Sequence, residues 1–447
     1  MSRRGVQHEL AALLRLALPV MSSRAGLLVM TTVDTVMTGW AGGAELAYLA
    51  LGLAPFIFLM LVGTGLLTGT VVLVAQTHGA GEASACGRIW HLAMINAALA
   101  GVLSIAMLGH AEWFLDAFGQ TPTMAAHGAE VARMFGLGMP AMLGFVATTL
   151  FLEGLGRPQI GVVVITVGNL LNVPLNWLFI YGAFDWPPTG AAGAALATSV
   201  VRWLMLLAIV GYAVLAPGVR ACGSVGGPWP TWRLQVRLLR LGIPFAVSQG
   251  LETSAFQSLT LFCGWLGETQ LAAYQIAINV TAMVYMATVG LATATAIRVG
   301  RGIGGGEPGK AITAAWLGVG ATLLVMLVLA PAVAGGAPWL AALFTTDVDV
   351  QAVATRCLTL VAPIIVADGL QGVLSGALRG AADVWVPMAI HVASFWLVLV
   401  PAAWLLGFSA KLGIDGLLWG ILLGLSVAAT LLVWRLVLLP PHRLQRA

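Results

Sequence analysis

Charge is scarce in this 447-residue sequence. Asp, Glu, Lys and Arg together make up 9% of it, where soluble domains carry about 25%. A water-soluble chain of this length could not cover its surface with so few charges. The apolar–polar alternation that an outer-membrane barrel strand requires is missing as well. Apolar residues make up 60% of the chain, in recurrent runs of the roughly 20 residues that a helix needs to cross a bilayer. The expected class is an all-α integral membrane protein.

Cysteine is nearly absent. Cys86, Cys222, Cys263 and Cys357 have no CxxC or metal-ligand spacing and read as ordinary reduced thiols. No HExxH, GxSxG or clustered His/Cys motif occurs, so an enzyme is not expected. The stretch GGGEPGKA (Gly304–Ala311) comes near a phosphate-binding loop. It ends in Ala where a Ser or Thr must hold magnesium, and it joins two helices rather than a strand and a helix. ATP-driven transport finds no support in this stretch, and no cofactor is expected. The net charge of +4 does not point to nucleic acid, because the positive charges follow the membrane sides. The basic N-terminus, MSRRGVQHEL, precedes an apolar stretch from about Leu10 to Trp40. That stretch is too long for a signal-peptide core and contains Pro19, Arg24 and Asp34, so it reads as the first span.

Twelve spans are expected, at about 10–40, 46–78, 88–110, 124–153, 159–182, 190–216, 236–265, 271–303, 311–335, 348–378, 385–408 and 413–440. With the N-terminus inside, the inner segments hold Arg3, Arg4, Arg88, Arg157, Arg220, Arg233, Arg237, Arg240, Arg298, Arg301, Lys310, Arg379, Arg443 and Arg446. The outer loops hold Lys411 alone, beside Glu45, Glu112, Asp116, Asp185, Glu268, Asp347 and Asp349. This is the positive-inside pattern, and it predicts a multi-pass protein of a bacterial inner membrane with both termini cytoplasmic. A Gly- and Pro-containing connector near the midpoint, CGSVGGPWPTWR, divides the chain into an N-terminal lobe 1–216, a linker 217–235 and a C-terminal lobe 236–447.

The lobes read as copies. LLRLALP at 13–19 matches LLRLGIP at 238–244, an offset of 225. The same offset pairs Gly39-Trp40 with Gly264-Trp265, and Gly65, Leu66, Thr68 and Thr70 with Gly290, Leu291, Thr293 and Thr295. It also pairs Gly79, Gly81 and Glu82 with Gly304, Gly306 and Glu307. Six spans per copy is even, so both copies enter the membrane the same way. That predicts two six-helix bundles related by a pseudo-two-fold axis along the membrane normal, an arrangement associated with rocking, alternating-access transport.

An ionisable side chain at mid-membrane costs on the order of 3 kcal/mol and usually has a task or a partner. Three acids stand out: Asp34 in the first span, Glu252 in the seventh and Asp368 in the tenth. Ser248 and Gln249 lie about one turn from Glu252, and Gln371 and Ser375 continue the Asp368 face. Asn172 and Asn176 share a face of the fifth span, as Gln275 and Asn279 do in the eighth, with Tyr285 deeper. One reading is a set of carboxylates that binds H⁺ or Na⁺, since a carboxylate in low dielectric can exchange protons near neutrality and, with amide and hydroxyl oxygens, can coordinate a hard cation. The other is that each acid neutralises an arginine, with Arg24, Arg133 and Arg202 available inside helices. The paired asparagines equally fit a role in holding helices together. Gly65 and Gly69, and the Gly372, Gly376, Gly380 series, have the spacing of close helix packing. Pro19 and Pro244 are expected to bend the first helix of each copy.

Several segments closely resemble the NorM-type branch of the multidrug and toxic compound extrusion (MATE) family. They are VDTVMTGW (Val33–Trp40), LVAQTHGAGE (Leu73–Glu82), LLNVPLNWLFIYG (Leu170–Gly182), AAYQIAIN (Ala272–Asn279), IRVGRGIG (Ile297–Gly304) and ADGLQGVLSGALRG (Ala367–Gly380). The resemblance runs in order from about residue 10 to 440. It implies an antiporter that expels small amphipathic, often cationic organic compounds in exchange for inward Na⁺ or H⁺, working as a monomer in the lipid bilayer. It implies a cation site at Glu252 and Asp368, with Tyr285 beside it, these two acids being the metal ligands if the ion is Na⁺. It further implies an N-lobe pocket of Asp34, Asn172, Asn176 and Thr198. Gln249, Gln275, Asn279 and Gln371 are additional cavity candidates. Tyr274, Arg24 and Arg202 depart from the family's usual pattern. An alternative is a related flippase of lipid-linked oligosaccharides, which would want a strongly basic cavity; the candidate residues here are mainly acidic. A passive channel or sensor would need no ion gradient.

Overall fold

In a computed structural model the apolar runs form helices throughout, and no strand occurs among the described residues. The structure describes residues 3–117, 119–182, 187–226 and 229–438, with side chains from residue 11. Among the charges used for orientation, Asp185, Arg443, Arg446 and the side chains of Arg3 and Arg4 lie outside the described residues.

The first half of the chain forms α1 (Arg3–Ala41), α2 (Gly43–Leu67), α3 (Gly69–Gly79), α4 (Cys86–Gly109), α5 (Ala111–Ala117), α6 (Pro122–Leu137), α7 (Met139–Gly154), α8 (Gln159–Tyr181), α9 (Gly190–Leu215) and the single turn α10 (Pro217–Val219). The second half forms α11 (Trp232–Leu266), α12 (Glu268–Gly304), α13 (Pro308–Gly335), α14 (Ala337–Phe344), α15 (Val348–Gly380), α16 (Trp385–Ala393), α17 (Val400–Trp404) and α18 (Ile414–Val437). π-helical segments, Ser394–Leu399 and Leu405–Ser409, follow α16 and α17.

Among the described residues, ten helices are long and apolar enough to cross a membrane, or eleven if the bent pair α6–α7 counts as one span. The chain is a multi-pass membrane protein. The expected span 124–153 is this pair, bent by 42° where Pro140, in the first turn of α7, supplies no N–H to the turn before it. The expected span 236–265 falls on α11. That helix is 35 residues long but lies outside the ten, because Ser248, Gln249, Glu252, Thr253, Ser254, Gln257 and Ser258 interrupt its apolar run.

The repeat is visible in the helix ends. Both α2 and α12 start 225 residues apart, at Gly43 and Glu268, and α3 ends at Gly79 as α12 ends at Gly304. The turns around them match as well. Gly42 and Gly267 have φ of 144° and 119°, and Gly81 and Gly306 have 78° and 70°, a region costly for any residue with a Cβ. The copies differ at Thr68, where the α2–α3 pair is interrupted while α12 runs on.

Two compact units emerge: Ser22–Ala246, and Met1–Met21 together with Val247–Ala447. Expectation placed the division at the 217–235 connector. The structure places it two residues beyond Pro19 and two beyond Pro244, so each proline-containing helix is shared between units. Matched glycines explain why. A Cβ on Gly65 would strike the Ala246 backbone, and one on Gly290 would strike Met21 and the Ala17 carbonyl. These are the same contact 225 residues apart. Close approach at a small residue therefore fixes the first half of α11 in one unit and the first half of α1 in the other. The Gly372, Gly376, Gly380 row packs α15 against α12 at Thr288, Ala292 and Ala296.

Candidate functional site

The Ser22–Ala246 unit assembles the four expected N-lobe residues into one network. Asp34 comes from α1, Asn172 and Asn176 from α8, and Thr198 from α9, and all four are buried. Thr198 Oγ1 donates to one Asp34 carboxylate oxygen at 2.5 Å, and Asn176 Nδ2 donates to the other at 2.7 Å. Asn172 Nδ2 donates to Thr198 Oγ1 at 3.0 Å, and its own carbonyl accepts from Asn176 at 3.0 Å. The i,i+4 spacing read from the sequence puts both amides on one face of α8, and helix packing brings the acid to them.

The three arginines within helices go to different partners. Arg24 bonds Glu153 at 3.4 Å. Arg133 pairs with Glu112 at 3.9 Å where both side chains are largely exposed. Arg202 acts on Asp34 electrostatically without forming a salt bridge to it among the described residues. Its guanidinium lies 4.5 Å from the Phe56 ring centroid and 5.5 Å from that of Phe135. Aromatic faces thus carry part of its charge. Its Nε and Nη1 have no hydrogen-bond partner.

The other unit holds the C-lobe residues. Glu252 of α11 and Asp368 of α15 interact as like charges, and Tyr285 of α12 lies within electrostatic reach of both and of Arg379. Gln371 Nε2 donates to Asp368 at 3.0 Å, while its Oε1 is buried without a partner. Against Gly372 there is room for the Tyr285 ring, which a Cβ would just touch. No group of three or more His, Cys, Asp or Glu able to hold a metal occurs among the described residues. An ion held here would draw on the two carboxylates together with amide and hydroxyl oxygens, the donor set of a hard cation.

Some expected cavity residues do not join either cluster. Gln275 and Asn279 are exposed on α12, and the Asn279 amide bonds back to the Gln275 carbonyl. Gln249 is half-buried, and its backbone carbonyl accepts from Thr253.

Two buried residues escaped the sequence reading. Glu153 looks like an interfacial charge near the Arg157 turn, yet its side chain is enclosed in α7 against Arg24. His391 on α16 is buried, with Nδ1 2.8 Å from Ser248 Oγ. The available signal was the one used for the acids, an ionisable residue inside an apolar run.

Comparison with known proteins agrees with this architecture. Residues 19–178 and 244–405 match MatE, once in each half. A probable multidrug resistance protein NorM of Caulobacter vibrioides is 31% identical over 96% of this chain and 92% of its own length. The multidrug resistance protein PmpM of Pseudomonas aeruginosa is 33% identical over the same shares, and NorM of Vibrio cholerae is 31% identical over 96% of this chain and 95% of its own. The crystal structure of the eukaryotic MATE transporter AtDTX14 superposes with a TM-score of 0.90 at 21% identity, covering 98% of both chains. With both halves matched and relatives aligned nearly end to end, the chain belongs to the MatE family.

Proposed function

We propose that this protein exports amphipathic, often cationic drugs and toxic organic compounds in exchange for inward Na⁺ or H⁺, by alternating access. The observation that carries the reading is the electrostatic interaction of Glu252 on α11 with Asp368 on α15, with Gln371 donating to Asp368 and Tyr285 within electrostatic reach of both. Two like charges in low dielectric repel each other strongly. A proton or a sodium ion relieves that repulsion, so occupancy by the ion and the free energy of the unit are coupled. The multidrug resistance names of the relatives supply the substrate class. Export follows if the ion-loaded and ion-free forms differ in their affinity for the drug, since coupling requires a differential affinity between states. The Asp34 network is the N-lobe pocket in this scheme. We further place the protein in a bacterial inner membrane with cytoplasmic termini, acting as a monomer.

Efflux of a fluorescent cationic dye from proteoliposomes tests this, with imposed Na⁺ or H⁺ gradients. Wild type is expected to move dye only down one of them, and Glu252→Gln or Asp368→Asn to stop it. Equal movement without any gradient would overturn the antiport reading.

A further inference from the structure

The first half of α11 has two unlike faces. One is tied into the Ser22–Ala246 unit, where Gln235 Nε2 donates to Asn96 Oδ1 of α4 at 2.6 Å and Asn96 Nδ2 returns a bond at 3.5 Å. A turn further on, a Cβ on Gly69 would strike the Leu238 carbonyl and press on Leu241. One on Gly242 would strike the Leu66 carbonyl. These contacts fix the rotation of the helix about its own axis.

The other face is exposed, and it is basic. Arg233, Arg237 and Arg240 are all exposed, and their i, i+4, i+7 spacing puts them on one stripe. Large apolar side chains run beside them. Trp232 is 76% exposed and Trp229, just before the helix, is 88%; Val236 and Ile243 are exposed as well. No acid answers this charge along the chain, since neither Asp nor Glu occurs from Trp186 to Leu251. Arg233 and Arg240 form no ion pair among the described residues. The exposed Arg220 of the connector adds to the same sign.

Such a face suits neither water nor hydrocarbon. Water is met best by charges of both signs without apolar patches, and hydrocarbon excludes arginine. The headgroup layer accepts both kinds of side chain. Indole rings settle at that level, and the guanidinium fork binds phosphate oxygens through two N–H groups at once. A free phosphate would leave the tryptophans, Val236 and Ile243 uncovered. A second copy meeting this face with its own would set arginine against arginine.

We propose that the exposed face of α11 from Trp232 to Ile243, with Trp229, is a binding site for anionic phospholipid of the inner leaflet. The arginines hold the headgroup phosphate, and the tryptophans with Val236 and Ile243 cover the upper acyl chains. The site rests on the orientation placed above, with this end of α11 cytoplasmic, where a basic cluster beside a membrane helix attracts anionic lipid. It is independent of the antiport reading.

The test is a titration of the full chain in detergent micelles with acyl-labelled phosphatidylglycerol, against phosphatidylcholine carrying the same label. Wild type is expected to bind phosphatidylglycerol at least about tenfold more tightly, an advantage that shrinks as salt is raised. Arg233→Gln combined with Arg240→Gln should remove most of it, and Arg233→Lys combined with Arg240→Lys should keep most of it. Trp229→Ala combined with Trp232→Ala should weaken both lipids alike. Equal affinity of wild type for the two lipids overturns the proposal without any variant. So does phosphatidylglycerol binding that ignores the double Gln change. Inorganic phosphate that displaces the labelled lipid as well as unlabelled phosphatidylglycerol does would make this a free-anion site. A concentration-dependent dimer lost in Trp232→Ala would give the face to a second copy; either result also overturns the proposal. Thr231→Cys labelled by an impermeant maleimide from the outer side alone would overturn the inner-leaflet assignment. None of these readouts needs transport, so a wild type that moves no dye sinks the antiport reading and leaves the lipid site to its own result.

Discussion

The two halves carry one repeat, yet the acids within their helices are served in opposite ways. Asp34 has both carboxylate oxygens occupied by protein donors, Thr198 and Asn176, and a buried cation, Arg202, within electrostatic reach. Glu252 and Asp368 interact as like charges, and among the described residues the Gln371 amide donates to Asp368. The N-terminal acid is balanced by the fold itself. In the proposed scheme the C-terminal pair is balanced when an ion arrives from outside. Stability and coupling should therefore respond to opposite members of the comparison.

The largest expected effect is on transport. Glu252→Gln and Asp368→Asn should each lower gradient-driven dye efflux by up to roughly 100-fold, while thermal unfolding in detergent stays unchanged or moves upward, because a buried like-charge repulsion is removed. Asp34→Asn should do the reverse to stability. It removes the carboxylate that acts on the buried Arg202 electrostatically, and the loss is read as a lower unfolding temperature. If Asp34→Asn unfolds like wild type, the balance drawn here between the two clusters is wrong.

Glu153→Gln should behave like Asp34→Asn, since it strands Arg24 in the same unit. Restored stability in Arg24→Met combined with Glu153→Leu would identify the pair as structural. Asn176→Ala removes one hydrogen bond to a charged group and should cost about 1.5–3 kcal/mol, measured by the same unfolding assay. The smallest effects belong to Gln275→Ala and Asn279→Ala. Both side chains are exposed and bond only along their own helix, so unfolding should shift by no more than about 0.5 kcal/mol. Should either variant abolish efflux at unchanged stability, that face of α12 would join the substrate path.

Much of the site was legible because membrane sequences advertise their polar residues. In an apolar helix an acid or a pair of amides four apart stands out, and Asp34, Asn172, Asn176, Glu252 and Asp368 were found that way. Glu153 was not, because a charge next to a helix end and an arginine reads as interfacial. His391 was not, although the signal used for the acids, an ionisable residue inside an apolar run, was available for it as well. Gln275 and Asn279 had the spacing of a shared face, and the structure leaves that face exposed on α12.

The sequence by itself determined that the chain is helical, membrane-embedded and internally repeated, since apolar run length, scarcity of charge and a fixed 225-residue offset are local or one-dimensional properties. The tertiary structure decided where one unit ends and the other begins, because that depends on which helix meets Gly65 and Gly290 across space. It also decided which acid meets a donor, which meets another acid and which meets an arginine. Those pairings join residues more than a hundred positions apart, and only packing brings them within reach of a hydrogen bond.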